Sequence, residues 1–131
     1  MPLFESKAAK ITVVNRTLEK AQRLLTDFPF IHCTATDAIK SSIDVIINAT
    51  SANFEGKTWI FPDNLMAKKP FCYDLAYAVD EPTAFVSYAI KQDCPAMDGL
   101  GMLVEQAAEA FFLWHGVRPE TTDVLNRLRD R

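Results

Sequence analysis

Among the 131 residues, Asp44-Val45-Ile46-Ile47-Asn48 most narrows what the chain can become. The run is short, β-branched and apolar on both faces. Such a strand belongs in the middle of a parallel sheet with helices packed above and below. The segments around it alternate in the same sense. Lys10 to Val14 reads as another buried strand, ended by Asn15. Thr17 suits the N-cap of a helix that puts Leu18, Ala21, Leu24, Leu25 and Phe28 on one face, and Pro29 stops it. A weaker strand over Ile31–Thr34 and a short helical stretch over Asp37–Ser41 follow. Past the central strand, Pro62 opens a short helix over Asp63–Met66, and Phe71–Leu75 is again a strand. Thr83–Gln92 reads as a helix, with Ala84, Phe85, Tyr88 and Ala89 as its apolar contacts. Ala96-Met97-Asp98 feeds Gly99-Leu100-Gly101 and the longest helix. That helix runs to about Trp114, with Leu103, Ala107, Ala110, Phe111 and Trp114 as its expected buried stripe. Gly116 fits its C-terminal cap, and Pro119 fits the first turn of a last helix bearing Val124, Leu125 and Leu128. Strands and helices that alternate through connections too long for hairpins predict one α/β domain, a parallel sheet wound with helices.

Composition removes several function classes. With 17 acidic against 14 basic residues, nothing favours nucleic acid as a partner. No apolar run approaches the ~20 residues of a membrane span, and Met1-Pro2-Leu3-Phe4-Glu5-Ser6-Lys7 does not read as a signal peptide. The three cysteines, Cys33, Cys72 and Cys94, are far apart and form no C-x-x-C. A disulfide framework and a zinc knuckle are therefore not expected, and a cytoplasmic setting is.

In wound parallel sheets, ligands bind beyond the carboxyl ends of the strands. The residues to question are thus Asn15-Arg16-Thr17, Asn48-Ala49-Thr50-Ser51, Asp74 to Tyr77, and Asp98 to Gly101. At the first of these positions a dinucleotide site uses an acid for a ribose hydroxyl or an arginine for a 2′-phosphate. Arg16 offers a planar fork of donors, Thr17 a hydroxyl, and Lys20 an ammonium one turn along. On spacing alone the plainer assignment is favoured: a turn residue, a cap and a solvated guanidinium. Gly99-Leu100-Gly101 starts like a phosphate-binding fingerprint, but Val104 stands where the third glycine would be, so tight turning into a helix is favoured. Tyr77 and Gln106 are open between packing and ligand contact. His32 and His115 have no partner for acid–base work by spacing, and neither a metal set nor a nucleophile triad can be assembled. No catalytic residue is assigned.

Four ordered blocks together resemble shikimate dehydrogenase. They are Val13-Val14-Asn15-Arg16-Thr17 with Lys20-Ala21; Ile46-Ile47-Asn48-Ala49-Thr50-Ser51; Tyr73-Asp74-Leu75-Ala76-Tyr77; and Asp98-Gly99-Leu100-Gly101-Met102-Leu103-Val104-Glu105-Gln106-Ala107-Ala108 with Phe111, Trp114-His115-Gly116 and Pro119. The likeness extends over nearly the whole chain, and its last block is the most specific. It implies the C-terminal, NADP-binding domain of an oxidoreductase that reduces 3-dehydroshikimate to shikimate, on the route to aromatic amino acids. The implied fold is a Rossmann-like doubly wound sheet, here incomplete, with its first strand missing. By resemblance, Asn15, Arg16, Thr17 and Lys20 hold the adenosine ribose and its 2′-phosphate. Ala49, Thr50 and Ser51 border the cofactor, Leu75 and Gly99 lie near the nicotinamide, and Tyr77 and Gln106 reach the substrate.

Some of the family's pattern is absent. Its glycine-rich phosphate loop and the strand before it precede the part matching Met1, and Pro2–Ala8 reads as the tail of the helix after that loop. The resemblance places the catalytic lysine and aspartate in a preceding domain, so the isolated chain is expected to be inactive and to meet shikimate only with that domain. Ser51-Ala52-Asn53-Phe54 lacks the usual glycine, and Val79-Asp80-Glu81-Pro82 before Thr83 is an atypical loop. Without a central strand, Lys10–Val14 is expected to pair directly with Asp44–Asn48, or the chain to exchange elements in a homo-oligomer. The alternatives are a non-catalytic interaction or oligomerisation module, and a quinate-specific relative using NAD. Arg16 favours the extra phosphate of NADP over NAD.

Overall fold

Residues 12–14 are Thr-Val-Val, β-branched throughout, and form strand β1 (Thr12–Val14). The computed structural model describes residues 2–39, 42–50 and 61–130. They fall into two compact units, the first within residues 1–41 and 60–65 and the second within 42–59 and 66–131.

In the first unit, a short helix α1 (Pro2–Glu5) precedes β1. Helix α2 (Leu18–Gln22) follows β1 and tightens into a 3-10 turn over Arg23–Thr26. Strand β2 (His32–Thr34) then pairs in parallel with β1, Thr12 opposite His32 and Val14 opposite Thr34. Ala21 and Ile31 are buried, and the Cys33 thiol donates to the Ala21 carbonyl at 3.2 Å. Leu24 and Leu25, expected on the buried face, are exposed. A 3-10 turn over Thr36–Ala38 stands where the short helical stretch was expected; Lys40 and Ser41 lie outside the described residues.

The second unit is built on strands β3 (Val45–Asn48), β4 (Phe71–Asp74) and β5 (Ala96–Met97), all parallel in that order. Val45 stands opposite Phe71 and Asn48 opposite Asp74, and Cys72 opposite Ala96. Helix α3 (Asp63–Met66) precedes β4, and helix α4 (Ala84–Lys91) lies between β4 and β5 in the chain and packs on both. The core of this unit holds Met66, Cys72, Phe85, Val86, Ala89, Cys94, Leu100, Val104 and Ala108. The strands are parallel and alternate with helices, which makes the fold α/β as expected. The expected ladder between Lys10–Val14 and Asp44–Asn48 is not formed among the described residues: β1 pairs with β2, and β3 with β4. Among the described residues of this unit β3 pairs only with β4, and Val45 and Ile47 are exposed, although its sequence is that of a covered strand.

Helix α5 (Leu100–His115) closes on Gly116, whose φ of +71° is the left-handed conformation glycine adopts without strain, and the Gly116 N–H donates to Phe112 O at 2.7 Å. Its buried positions are Leu100, Val104 and Ala108. The expected stripe is thus rotated. Leu103 and Ala110 are half-buried, while Ala107, Phe111 and Trp114 are exposed, Trp114 at 78%. Helix α6 (Thr122–Arg129) starts after Thr121, so Pro119 lies in the connection rather than in the first turn. Arg118 ties that connection to α5 through Glu109 and Glu105, and Thr121 donates to Glu105 at 2.6 Å.

The cysteines divide by burial. Cys72 and Cys94 are buried and Cys33 is half-buried. Burial pushes the Cys72 thiol up to about 11, and the neighbouring Cys94 adds to the effect. A thiol that stays protonated and enclosed reacts only when the structure opens. Titration of the native chain with an aromatic disulfide at pH 8 should label Cys33 first, with Cys72 and Cys94 following at the unfolding rate. Rapid labelling of all three would contradict this packing.

Candidate functional site

The first group of candidate residues sits where β1 gives way to α2. Asn15 ends the strand and its Oδ1 accepts the Thr17 N–H at 3.0 Å, an Asx turn. The Lys20 N–H donates to Thr17 O at 3.0 Å as the helix begins. Thr17 is extended (φ −106°, ψ 103°), and its hydroxyl makes no capping bond. Arg16 and Lys20 are exposed, and neither forms an ion pair among the described residues. The turn therefore presents a guanidinium, a hydroxyl and an ammonium within a few residues, with no carboxylate in Asn15-Arg16-Thr17 and one, Glu19, beside Lys20 on the helix. This donor set suits a dianionic phosphate. Asn15, proposed from sequence as a ligand contact, spends its carbonyl oxygen on the turn.

The second group lies at the carboxyl ends of β3, β4 and β5. Asn48 and Asp74 end paired strands in register, and both are buried. The Asn48 amide donates from Nδ2 to Asp74 Oδ1 at 2.9 Å, while its Oδ1 accepts from the Thr50 hydroxyl at 2.7 Å and the Thr50 N–H at 3.2 Å. Asp74 Oδ1 also accepts the Ala76 N–H at 3.1 Å, and Oδ2 accepts the buried Thr83 hydroxyl at 2.6 Å. Thr83 in turn caps α4 by accepting the Val86 N–H at 3.2 Å. The loop read from sequence as atypical thus ends in a cap whose hydroxyl uses both its donor and its acceptor. From the β5 side, Asp98 accepts the Leu100 N–H at 3.2 Å and the Ala78 N–H at 3.4 Å, and the Gly99 N–H donates to Ala76 O at 2.9 Å.

Around this network stand Ala49 and Thr50, exposed after β3, and Leu75 and Tyr77, 38% and 49% exposed after β4. Gly99 is buried at the start of α5. A Cβ on Gly99 would come within 2.4 Å of the Leu75 carbonyl oxygen, so its missing side chain makes room for this chain's own backbone. Gln106 is exposed on α5, about 9 Å along the helix from Leu100. A cleft of about 330 Å³ lies beside the loop after Tyr77, lined by Val79, Pro82, Val86, Met97 and Arg129 among others, and neither Tyr77 nor Gln106 lines it. Ser51 lies outside the described residues. Asn48 and Asp74 stood among the strand-end residues to question but, like Thr83, were given no role by sequence. The available signal was an amide and a carboxylate, each ending an apolar strand. Among the described residues no cluster of His, Cys, Asp or Glu could hold a metal ion, and no helix is long and apolar enough to cross a membrane.

Comparison with known proteins puts these features in context. A sequence model of shikimate / quinate 5-dehydrogenases matches residues 1–76, and one of the shikimate 5′-dehydrogenase C-terminal domain matches residues 99–129. Over 128 residues the chain is 50% identical to a Legionella pneumophila (strain Lens) protein named shikimate dehydrogenase (NADP(+)), covering 98% of this chain and 48% of the relative. Among solved structures, an Ael1 enzyme from Pseudomonas putida superposes with a TM-score of 0.84 at 34% identity, covering 97% of this chain and 48% of that one. A shikimate dehydrogenase solved in complex with NADP+ superposes with a TM-score of 0.74 at 28% identity, covering 92% and 46%. The chain spans about half the length of the curated relatives it matches.

Proposed function

Because this chain belongs to the shikimate / quinate 5-dehydrogenase family, we propose that its 131 residues form the cofactor-holding portion of an NADP-dependent shikimate dehydrogenase. The observation that carries this reading is the open guanidinium of Arg16 at the end of β1, on a turn without a carboxylate. An acid at that place would recognise a bare ribose and repel a 2′-phosphate, whereas an arginine recognises the phosphate. The names of the relatives, which include NADP(+), support the same choice. Arg16, Thr17 and Lys20 would hold the 2′-phosphate, with Asn15 shaping the turn. Ala49, Thr50, Ser51, Leu75 and Gly99 would border the rest of the dinucleotide, and Tyr77 and Gln106 would face the shikimate. When bound as NADPH, the cofactor supplies the hydride for reduction of the 3-dehydroshikimate carbonyl. These residues bind and orient; proton transfer is assigned to groups of a preceding domain, and the chain alone is not expected to turn over.

Calorimetric titration of the chain with NADP+ and NAD+ tests the reading. NADP+ should bind more tightly, and Arg16→Ala should remove the difference. A charge-assisted contact contributes about 1.5–3 kcal/mol, which corresponds to roughly a ten- to hundredfold loss for NADP+ and almost none for NAD+. Equal affinities in the unaltered chain would rule out Arg16 as the discriminating group.

A further inference from the structure

Among the described residues of the second unit, one carboxylate is wholly enclosed and serves no role in the proposed chemistry. Asp74 is 0% exposed, and its carboxylate receives Asn48, Ala76 and Thr83. Burying a carboxylate is costly unless donors surround it, and nonpolar packing of similar volume would serve stability as well. The placement of the donors suggests what the group does. Asn48 relays the carboxylate to both the N–H and the hydroxyl of Thr50, which shapes the turn after β3. The Ala76 N–H fixes the turn after β4, while Leu75 N–H donates to Asn48 O at 2.9 Å and Ala76 O accepts from Gly99. Thr83 anchors the start of α4 to the same carboxylate. A single side chain therefore governs two neighbouring strand-end turns.

We propose that Asp74 is a positioning residue: through Asn48 and Thr83 its buried carboxylate sets the turns Ala49–Thr50 and Leu75–Tyr77 that face the dinucleotide. The proposal rests on the cofactor-binding reading above. Displacing a supporting group by about 1 Å can weaken a site a hundredfold without touching the ligand. Arg16 lies in the other unit and acts on the 2′-phosphate alone, so the two roles separate experimentally.

The test uses this chain with Asp74→Asn, Thr83→Val and Thr83→Ser, at a temperature where melting curves show each variant folded. NADP+ and NAD+ dissociation constants are measured by calorimetry. Asp74→Asn and Thr83→Val should weaken both nucleotides about tenfold or more, with the NADP+/NAD+ ratio unchanged, and Thr83→Ser, which keeps the hydroxyl, should bind as the unaltered chain does. Folded Asp74→Asn that binds both nucleotides normally overturns the proposal even if Thr83→Val fails to fold, because the network then maintains only the fold. Loss confined to NADP+, or no rescue by serine, overturns it as well. If the unaltered chain binds neither nucleotide, the cofactor reading falls and takes this inference with it, an outcome distinct from normal binding by the variants.

Discussion

Asp74→Ala should destabilise the second unit by about 3 kcal/mol or more. The substitution removes the acceptor for Asn48 Nδ2 and the Thr83 hydroxyl, both buried, and for the half-buried Ala76 N–H. Each donor left unsatisfied in the interior costs about 1–3 kcal/mol. Domains of this kind are stable by only about 5–15 kcal/mol, so several such losses consume most of the margin. The cap of α4 weakens at the same time, because Thr83 is oriented by the bond it donates to Asp74. Urea unfolding followed by circular dichroism should show at least about 3 kcal/mol of destabilisation. A loss below about 1 kcal/mol would mean the carboxylate is not the hub of this network. Asp74→Asn keeps the side chain's volume but leaves one carbonyl oxygen for three donors, so it perturbs the turns with a smaller loss of stability than alanine and is the variant for binding measurements.

Gly99→Ala should be the second severe substitution, for a steric reason. Its backbone is at φ −80° and ψ 5°, which any residue can adopt, so conformational freedom does not explain the glycine. The added Cβ would stand 2.4 Å from Leu75 O, 3.0 Å from Leu75 C and 3.3 Å from Ala76 O. Those are backbone atoms, and they are held by Leu75 N–H to Asn48 O and by Gly99 N–H to Ala76 O. They cannot yield without opening the contact between the β4 turn and the start of α5. Overpacking of this kind costs about 1–3 kcal/mol or more, and it displaces Leu75 and Tyr77 as well. Two residues on, Gly101 has open space where its Cβ would be. It lies inside α5, so Gly101→Ala should stabilise the chain by about 0.5–1 kcal/mol. Thermal melts of the two variants should therefore move in opposite directions. Equal shifts would show that the close approach at Gly99 is not real.

Both substitutions concern residues whose identity the sequence displays and whose importance it conceals. Asp74 is visible as a carboxylate at the end of an apolar run, but its partners lie 26 residues back at Asn48 and 9 residues on at Thr83. Gly99 reads as half of a phosphate fingerprint, yet its reason is the Leu75 carbonyl across the sheet end. Asn15 shows the converse. A polar residue after a strand is a turn former by local chemistry alone, and the turn is there. For α5, residues 111–114 are Phe-Phe-Leu-Trp, apolar around the helix, so helical spacing could not choose the buried face. The choice fell to Leu100, Val104 and Ala108, and Leu113 and Trp114 are left 73% and 78% exposed.

What the chain determined by itself was the series of elements: the strands at 12–14, 45–48 and 71–74, the helices at 63–66 and 84–91, and the glycine that closes α5. Those features follow from side-chain period, β-branching and backbone permissiveness, which act between residues a few positions apart. Tertiary structure alone decided that β3 pairs with β4, that α5 buries the Leu100–Val104–Ala108 face, and that Asn48, Asp74 and Thr83 converge. Each of those depends on which surfaces meet, and burial turns an ordinary polar side chain into an obligatory partner only once water has been excluded from around it.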